Sequence, residues 1–279
     1  METLGAEEKK SRANEFGLAQ SSSSTVAVAV TQAKEGYHYQ YTISYPTGDL
    51  YSNPFGRVGQ FRVDLRHNPL GHSFFYPHRE PETEPGDEHD RNLDEVPRVY
   101  PVKKLAPLLW DHKYVLETPY HGWWTCPSWA DREASVKPGQ KLSGFILITK
   151  EPPGIRNSML RASNETDWNE DYYQTTLAPA SPPEPFTASA WTARMLSDVA
   201  EARKLGWIKS DDQLDKIKKL IADLNTQDKK KLKKAVNVIE KYVSKEHKAG
   251  RLTDEADALV RLNALYLLKR MNQEEKGKK

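Results

Sequence analysis

The 279-residue sequence has one cysteine, Cys126, so no disulfide bond can form within the chain. Since many exported bacterial proteins also have no disulfide, this count does not decide the compartment. Long apolar runs are missing as well, because none approaches the roughly 20 residues that a membrane-spanning helix needs. The run from Thr25 to Val30 is also shorter than the apolar core of a signal peptide, which has at least about 7 residues. The sequence therefore predicts no membrane span, and no signal peptide is visible in it.

The motifs of several enzyme classes are missing too. The sequence contains no G-x-S-x-G nucleophile elbow, no G-x-x-x-x-G-K-[ST] phosphate-binding loop and no G-x-G-x-x-G dinucleotide fingerprint. Cys126 does not stand in the context of a known cysteine hydrolase. A signature of a nucleic-acid-binding fold is also absent. We therefore lean towards a protein without catalytic activity, and we expect no nucleic-acid partner.

The first part of the sequence contains patterns typical of strands. Phe145 to Ile148 is an apolar run between a Pro-Gly corner and a Pro-Pro-Gly corner ending at Gly154, which indicates a buried central strand. Tyr37 to Tyr45 alternates aromatic or β-branched residues with polar ones, and Arg57 to Leu65 repeats this pattern. We expect these two segments to be neighbouring strands of one sheet. After Gly154 the sequence is polar from Arg156 to Glu170.

The second part contains four apolar faces at helical spacing. Their residues are Trp191, Met195, Val199 and Ala202; Leu214, Ile217, Leu220, Ile221 and Leu224; Leu232, Ala235, Val236, Ile239, Tyr242 and Val243; and Ala256, Leu259, Leu262 and Tyr266. This part follows a proline-rich segment, APASPPEP at residues 178–185, which favours an extended linker. Ser210-Asp211-Asp212-Gln213 matches a capping box, and Gly206 and Gly250 are placed to end helices. Because such apolar faces are buried only against one another, they predict a small helical bundle.

The predicted fold class is all-β plus all-α. It consists of an antiparallel β-sandwich, immunoglobulin-like or jelly-roll-like, followed by the bundle. The predicted parts are a disordered tail at 1–29, the β-sandwich at 30–178, the linker at 179–186, the bundle at 187–272 and a charged tail at 273–279.

The helical part resembles a known family in the order of its segments. A capped helix is followed by a helix rich in lysine and alanine that ends in Ala249-Gly250, then by Leu252-Thr253 and a helix rich in alanine and leucine. In this order, residues 191–272 resemble the FIMAH domain, a small helical module near the C-termini of bacterial extracellular or cell-envelope proteins. The resemblance implies a bacterial protein at the cell surface or outside the cell.

The β part is similar to poorly characterised bacterial β-sandwich domains. The similarity is carried by Tyr37 to Tyr45, by Phe61-Arg62-Val63-Asp64 and by Pro138 to Gly154. The chain departs from that pattern at Tyr45-Pro46, where asparagine is usual, and in a long histidine-rich excursion at residues 67–121. Neither family supplies catalytic residues, so the two resemblances imply architecture and location.

The histidine-rich excursion gives a hypothesis of catalysis. Long loops of this kind are often functional, and six of the eight histidines stand in or near it: His67, His72, His78, His89, His112 and His121. Imidazoles and the nearby carboxylates can hold zinc or another divalent ion, which activates water in hydrolases and lyases. Because the spacings match no metal motif, we expect solvated histidines and no cofactor, with a divalent metal such as zinc as the alternative.

Four aromatic residues form a candidate ligand platform: Tyr120, Trp123, Trp124 and Trp129. Flat aromatic faces offer a large contact area to sugar rings at little entropic cost. The alternative is that these residues fill the core of the sandwich, as aromatic residues of β-domains usually do.

Five lysines form what we call the basic patch: Lys229, Lys230, Lys231, Lys233 and Lys234. A positive patch suits phosphate or an acidic glycan. Lysines at the start of a helix oppose the helix dipole, which is tolerable when they are solvated, so an ordinary solvated face is the competing interpretation.

The function that we expect is therefore non-catalytic attachment or recognition at the cell surface or outside the cell, with a glycan or another envelope component as ligand. A metal-dependent hydrolase or lyase is the second hypothesis. A self-assembling structural subunit is the third.

Overall fold

A computed structural model describes residues 24–45, 57–65, 103–110, 121–126, 134–163 and 169–276. In these ranges eight strands precede four helices. The strands are β1 Thr25–Gln32, β2 Tyr37–Ser44, β3 Arg57–Asp64, β4 Lys103–Leu105, β5 His121–Thr125, β6 Lys141–Thr149, β7 Pro153–Ser163 and β8 Asn169–Pro179. The helices are α1 Ala188–Lys204, α2 Asp211–Ala222, α3 Lys229–Lys248 and α4 Asp254–Lys276. The predicted order, a β part and then a helical part, is confirmed.

The strands form two antiparallel sheets of four strands each. The first has the order β1-β2-β6-β4 and the second has the order β5-β3-β7-β8. Strand β6 lies between β2 and β4, which confirms the central position predicted for its apolar run. Strands β2 and β3 lie in different sheets, so the prediction that they are neighbours is wrong. Alternation shows that each strand has one buried face, but it does not show which strand is the partner.

Aromatic rings from both sheets share one core. Tyr41 of β2 and Phe61 of β3 have ring centroids 5.3 Å apart, and Phe61 is 5.4 Å from Phe145 of β6. Trp124 of β5 stacks on Phe61 at 5.1 Å with an interplanar angle of 10°. All four side chains are fully buried. The two sheets are thus joined by ring contacts, each of which contributes about 0.5–1.5 kcal/mol beyond its buried area.

Side chains of the second sheet bond the backbones of both edge strands of the first. Gln174 of β8 accepts a hydrogen bond from the Val26 N–H of β1 at 2.9 Å, and its amide group donates to the Ser24 carbonyl. At the other edge, the Trp124 indole N–H donates to the Leu105 carbonyl of β4 at 2.8 Å. Both bonds satisfy polar backbone groups at edges where the described residues add no further strand to the sheet.

Two segments differ from the sequence-based expectations. Strand β1 begins at Thr25, so residues 25–29 belong to a sheet and not to a disordered tail, whereas residues 1–23 lie outside the described ranges. Strands β7 and β8 form a long antiparallel hairpin where the sequence showed only a polar stretch. Arg156, Ser158 and Thr176 of this hairpin are buried. These buried polar residues hide the alternation that would otherwise reveal the strands.

The helices bury the faces that their spacing predicts. The buried residues among those that define the faces are Trp191, Met195, Val199, Ala202, Leu214, Ile217, Leu220, Ile221, Leu224, Leu232, Val236, Ile239, Val243, Ala256, Leu259, Leu262 and Tyr266. The capping box at Ser210 is also present. None of the described helices combines the length and the apolarity that a membrane span requires.

The helical part also packs on the sheets. Helix α4 contacts β1 and β7, helix α1 contacts β7, and one apolar core runs through both parts. Ala180, in the predicted linker, is fully buried, and its N–H donates to the Pro152 carbonyl at 3.0 Å. The division into two domains at residues 179–186 stays a prediction.

Candidate functional site

Most of the candidate metal ligands lie outside the described residues. This holds for His67, His72, His78, His89 and His112, and only the backbone of His121 is described, as the first residue of β5. Within the described ranges, no three side chains of His, Cys, Asp or Glu are close enough to hold an ion. The metal site stays a prediction.

The structure places only part of the predicted aromatic platform. Tyr120 and Trp129 lie outside the described residues, and Trp123 is described only by its backbone in β5. Trp124 is 0% exposed and packs between Phe61 and Phe145. Because its faces contact other rings and its indole N–H is bonded to the backbone of β4, Trp124 fills the core and offers no surface to a sugar ring.

The basic patch is described in full. Its five lysines form the first turns of α3, directly after the N-cap residue Asp228. The Asp228 carboxylate accepts hydrogen bonds from the backbone N–H groups of Lys230 and Lys231, at 2.8 and 3.1 Å. Lys229 is half-buried, and the four other lysines are exposed. The negative charge at the cap offsets part of the repulsion between the lysines and the helix dipole.

The opposite face of α3 is anchored in the core. Its buried apolar residues are Leu232, Val236, Ile239 and Val243. These positions follow one another at intervals of three and four residues, so they lie on one side of the helix. The lysines of the patch therefore extend into solvent from a backbone that the core holds in place.

A cluster that sequence analysis missed lies where α1 meets β7. We call it the ionic junction, and it consists of Arg156 of β7 with Arg194 and Asp198 of α1. The Nε atom of Arg194 is 3.5 Å from the Asp198 carboxylate, and its guanidinium lies over the Trp191 ring at 4.7 Å from the centroid. Arg194 Nη1 also donates to the carbonyl of Ser181 at 3.0 Å. Arg194 thus connects α1 to the segment that follows β8.

Burial governs the electrostatics of the ionic junction. Arg156 is 6% exposed, and its removal from water, with the charge of Arg194 beside it, lowers its pKa to about 10. Burial raises the pKa of the Asp198 carboxyl, while Arg194 and Arg156 act in the opposite direction. A buried charge of either sign is costly unless an opposite charge stands beside it, and the junction provides both signs.

Gly154 allows the strand to approach the junction closely. A Cβ atom at this position would lie 2.5 Å from the Ala180 Cβ and 2.6 Å from Arg194 Nη2. Carbon atoms of separate side chains do not come this close, so a side chain here requires the neighbouring segment to move. The Pro-Pro-Gly corner thus ends in glycine because α1 packs against it.

Asn263 completes the contact between helices and sheets. Its side-chain amide donates to the Pro153 carbonyl of β7 at 2.8 Å, and its backbone carbonyl accepts from the Trp191 indole at 3.1 Å. Asn263 is 2% exposed, in the apolar face that Leu259 and Leu262 define. A polar residue inside such an apolar face is the signal in the sequence that could have revealed this contact. Arg194 and Asp198 keep 18% and 19% of their side-chain surface exposed, and Arg156 is buried. We assign the ionic junction a structural role, since its contacts join the helices to the sheets.

Comparisons with known proteins identify no family. The chain matches no model of a known protein family, and no curated protein matches it. Among solved structures, it is similar to the structure of astrotactin-2, a conserved vertebrate-specific and perforin-like membrane protein involved in neuronal development. The identity is 12% and the TM-score is 0.22, and the match covers 90% of this chain but 36% of that one. At this TM-score the likeness carries no argument about fold or function.

Proposed function

We propose that this protein is a non-catalytic binding or attachment protein of the bacterial cell surface or extracellular space, and that its basic patch recognises an acidic glycan. The observation that carries the proposal is the position of the patch, with four exposed lysines at the start of a helix whose other face is buried. The location comes from the resemblance of residues 191–272 to the FIMAH domain.

A patch of this kind fits a charged polymer better than a small molecule. Helix α3 contains eight lysines and two glutamates, so its field is positive along its length. At physiological salt such a field reaches about 8 Å from exposed charges. Lysine amines are flexible point charges that impose no single geometry on their partner. They suit the repeated carboxylate, sulfate or phosphate groups of an acidic polysaccharide.

We also propose that the two sheets form a sandwich of the immunoglobulin-like type, which is common in cell-surface modules. The orders β1-β2-β6-β4 and β3-β7-β8 correspond to the A-B-E-D and C-F-G orders of that fold. Strand β5 is then an additional edge strand beside β3. This correspondence favours the immunoglobulin-like arrangement over the jelly-roll-like one.

The test is binding of the full chain to an immobilised acidic polysaccharide such as heparin, with dextran as the neutral reference. We expect retention on heparin that falls as salt is raised, because counterions screen exposed charges. The triple variant Lys230→Gln/Lys233→Gln/Lys234→Gln should bind about tenfold more weakly, since each exposed contact contributes up to about 1 kcal/mol.

A matched control removes three charges from the same helix at another place. The variant Lys241→Gln/Lys245→Gln/Lys248→Gln changes exposed residues only. Binding should be nearly unchanged in this variant if the basic patch is the site. Equal losses of heparin binding in the two variants would show that the helix attracts heparin by its total charge, which contradicts the proposal. Equal retention on heparin and dextran would contradict it as well.

A further inference from the structure

The turn from Pro107 to Trp110 carries an apolar tip. Leu108 is 89% exposed and Leu109 is 38% exposed. Among the described residues, the remaining large apolar side chain that is exposed is Val238 of α3. A single exposed leucine is ordinary, but two in succession occupy positions where turns favour Gly, Asn, Asp or Ser. Solvation therefore does not explain the choice of these residues.

The backbone of Leu109 adds a second anomaly. Its φ angle is 66°, in the left-handed region, and the Trp110 N–H closes the turn by donating to the Pro107 carbonyl at 3.0 Å. Left-handed backbone is unfavourable for every residue with a Cβ, and glycine or asparagine is the usual choice at such a turn position. Leu109 is thus unfavourable both in conformation and in exposure. Strained backbone of this kind clusters at functional sites such as ligand clamps.

The base of the turn is fixed to the sheets. Trp110 is 5% exposed and meets the Phe145 ring edge to face, with centroids 4.8 Å apart. Its indole N–H donates to the Ala134 carbonyl at 2.9 Å. Pro107 lies beside Gly144 of β6, 3.5 Å from the place of a Cβ atom there. The two leucines therefore extend from a rigid base, and insertion of the tip would require little ordering of the chain.

Positive charge accompanies the tip. Lys137 and Lys141, before and at the start of β6, are exposed. Strand β4 runs antiparallel to β6, with Leu105 opposite Ile146, so the turn after β4 and the start of β6 lie at the same end of the sheet. Apolar side chains that enter the boundary of the acyl chains, with lysines near the headgroups, are the combination that binds anionic membranes.

We propose that the turn at Leu108 and Leu109 is a membrane-contact tip, which inserts its two leucines into the surface of a bilayer that contains anionic lipids. A convex tip this small buries far less area than a specific protein interface needs, whereas a fluid apolar phase adapts to its shape. The tip is separate from the basic patch on α3, and its argument does not depend on the proposed function.

The experiment is co-sedimentation of the full chain with vesicles of phosphatidylcholine and phosphatidylglycerol, compared with vesicles of phosphatidylcholine alone. We expect binding that is stronger to the anionic vesicles. Leu108→Asp should weaken it by about tenfold or more, because a leucine gains at least this factor on leaving water. Val238→Asp is the matched control, since Val238 is 44% exposed on α3, and it should bind like the wild type.

Leu109→Gly separates membrane contact from folding. Glycine accepts the left-handed backbone, so this variant should melt at a higher temperature than the wild type while it binds the vesicles more weakly. Leu108→Asp should also weaken vesicle binding when it is added to the variant with three glutamines in the basic patch. This result would distinguish the two surfaces.

Three results would overturn the proposal. These are a wild type that does not bind anionic vesicles, equal binding by Leu108→Asp and the wild type, and equal losses in Leu108→Asp and Val238→Asp. If a soluble protein binds through Leu108 and vesicles do not, the partner of the tip is a protein and the membrane proposal is wrong.

Discussion

The sheets and the helices satisfy the polar groups of their cores in different ways. In the sheets, the Tyr41 hydroxyl donates to the Leu177 carbonyl at 3.1 Å, across 136 positions of the sequence, and Tyr39 reaches the Glu151 carbonyl across 112. In the helices, caps use neighbours, as when Ser210 accepts from the N–H of Gln213. The sheets therefore depend on contacts between distant segments, whereas much of each helix is specified locally. Removal of one buried side chain should therefore lower the free energy of unfolding more in the sheets than in the helices.

The largest effect is expected for Phe145→Ala in the sheets. Phe145 is 0% exposed and contacts the rings of Phe61, Trp110 and Trp124, which belong to three other segments. The cavity should lower the free energy of unfolding by about 3 kcal/mol or more, as measured by urea denaturation. Lys141→Ala on the same strand is the control, and it should cost less than about 0.5 kcal/mol. Similar losses in both variants would refute the comparison.

An intermediate effect is expected at the ionic junction, where the two parts meet. Gly154→Ala places a Cβ atom 2.5 Å from that of Ala180. The substitution should lower the free energy of unfolding by about 2 kcal/mol, because α1 and the segment after β8 have to shift to relieve this overlap. The double variant Gly154→Ala/Ala180→Gly removes the overlapping methyl group, so it should recover part of the loss in the same urea titration. No recovery would show that the contact with Ala180 is not the cause.

The smallest effect is expected in the helices, for Glu246→Gln. The Glu246 carboxylate accepts from Arg251 Nη2 at 2.9 Å, and the Arg251 hydrogen bonds hold its pKa below the ordinary 4.5. At pH 7 the substitution should cost about 1 kcal/mol, because water screens the half-exposed Arg251. A carboxylate with a lowered pKa contributes stability above its unfolded pKa and loses it as pH falls through its folded pKa. The difference between wild type and variant should thus shrink below about pH 4.5.

A control on the same helix tests whether the contact with Arg251 causes the effect of Glu246→Gln. Glu240→Gln removes the same charge from α3, at a position outside the contact with Arg251. Its unfolding free energy should differ from that of the wild type by less than about 0.5 kcal/mol at pH 7. A pH dependence equal to that of Glu246→Gln would assign the effect to the charge of the helix as a whole.

The predictability of the fold follows the same division. The capping box at Ser210 and the helical faces were visible in the sequence because their signals lie within a few residues of one another. The alternation of β2 and β3 was visible as well, but their placement in separate sheets depends on pairing with β6 and β7. The hairpin of β7 and β8 was not visible, because buried polar residues such as Arg156 interrupt its pattern.

The ionic junction was harder to predict than the basic patch. Arg194 and Asp198 are four residues apart on a helix, which in a sequence looks like an ordinary exposed ion pair. Their burial results from Gly154, a residue of a distant strand that lets α1 approach. The basic patch, by contrast, was predictable because adjacent lysines on an amphipathic helix remain on its solvent side.

The bond from Gln174 to β1 determines how the first sheet can meet another chain. A glutamine amide offers one carbonyl oxygen and one NH₂ group. Here the oxygen accepts from the Val26 N–H, and the NH₂ group donates to the Ser24 carbonyl. An incoming strand would need those two groups in order to add to this edge. Since the segment TVAVAVTQ of β1 is uncharged and rich in β-branched residues, it is of the type that stacks into fibrils. The Gln174 amide therefore occupies the two backbone groups that an added strand would need at the start of β1.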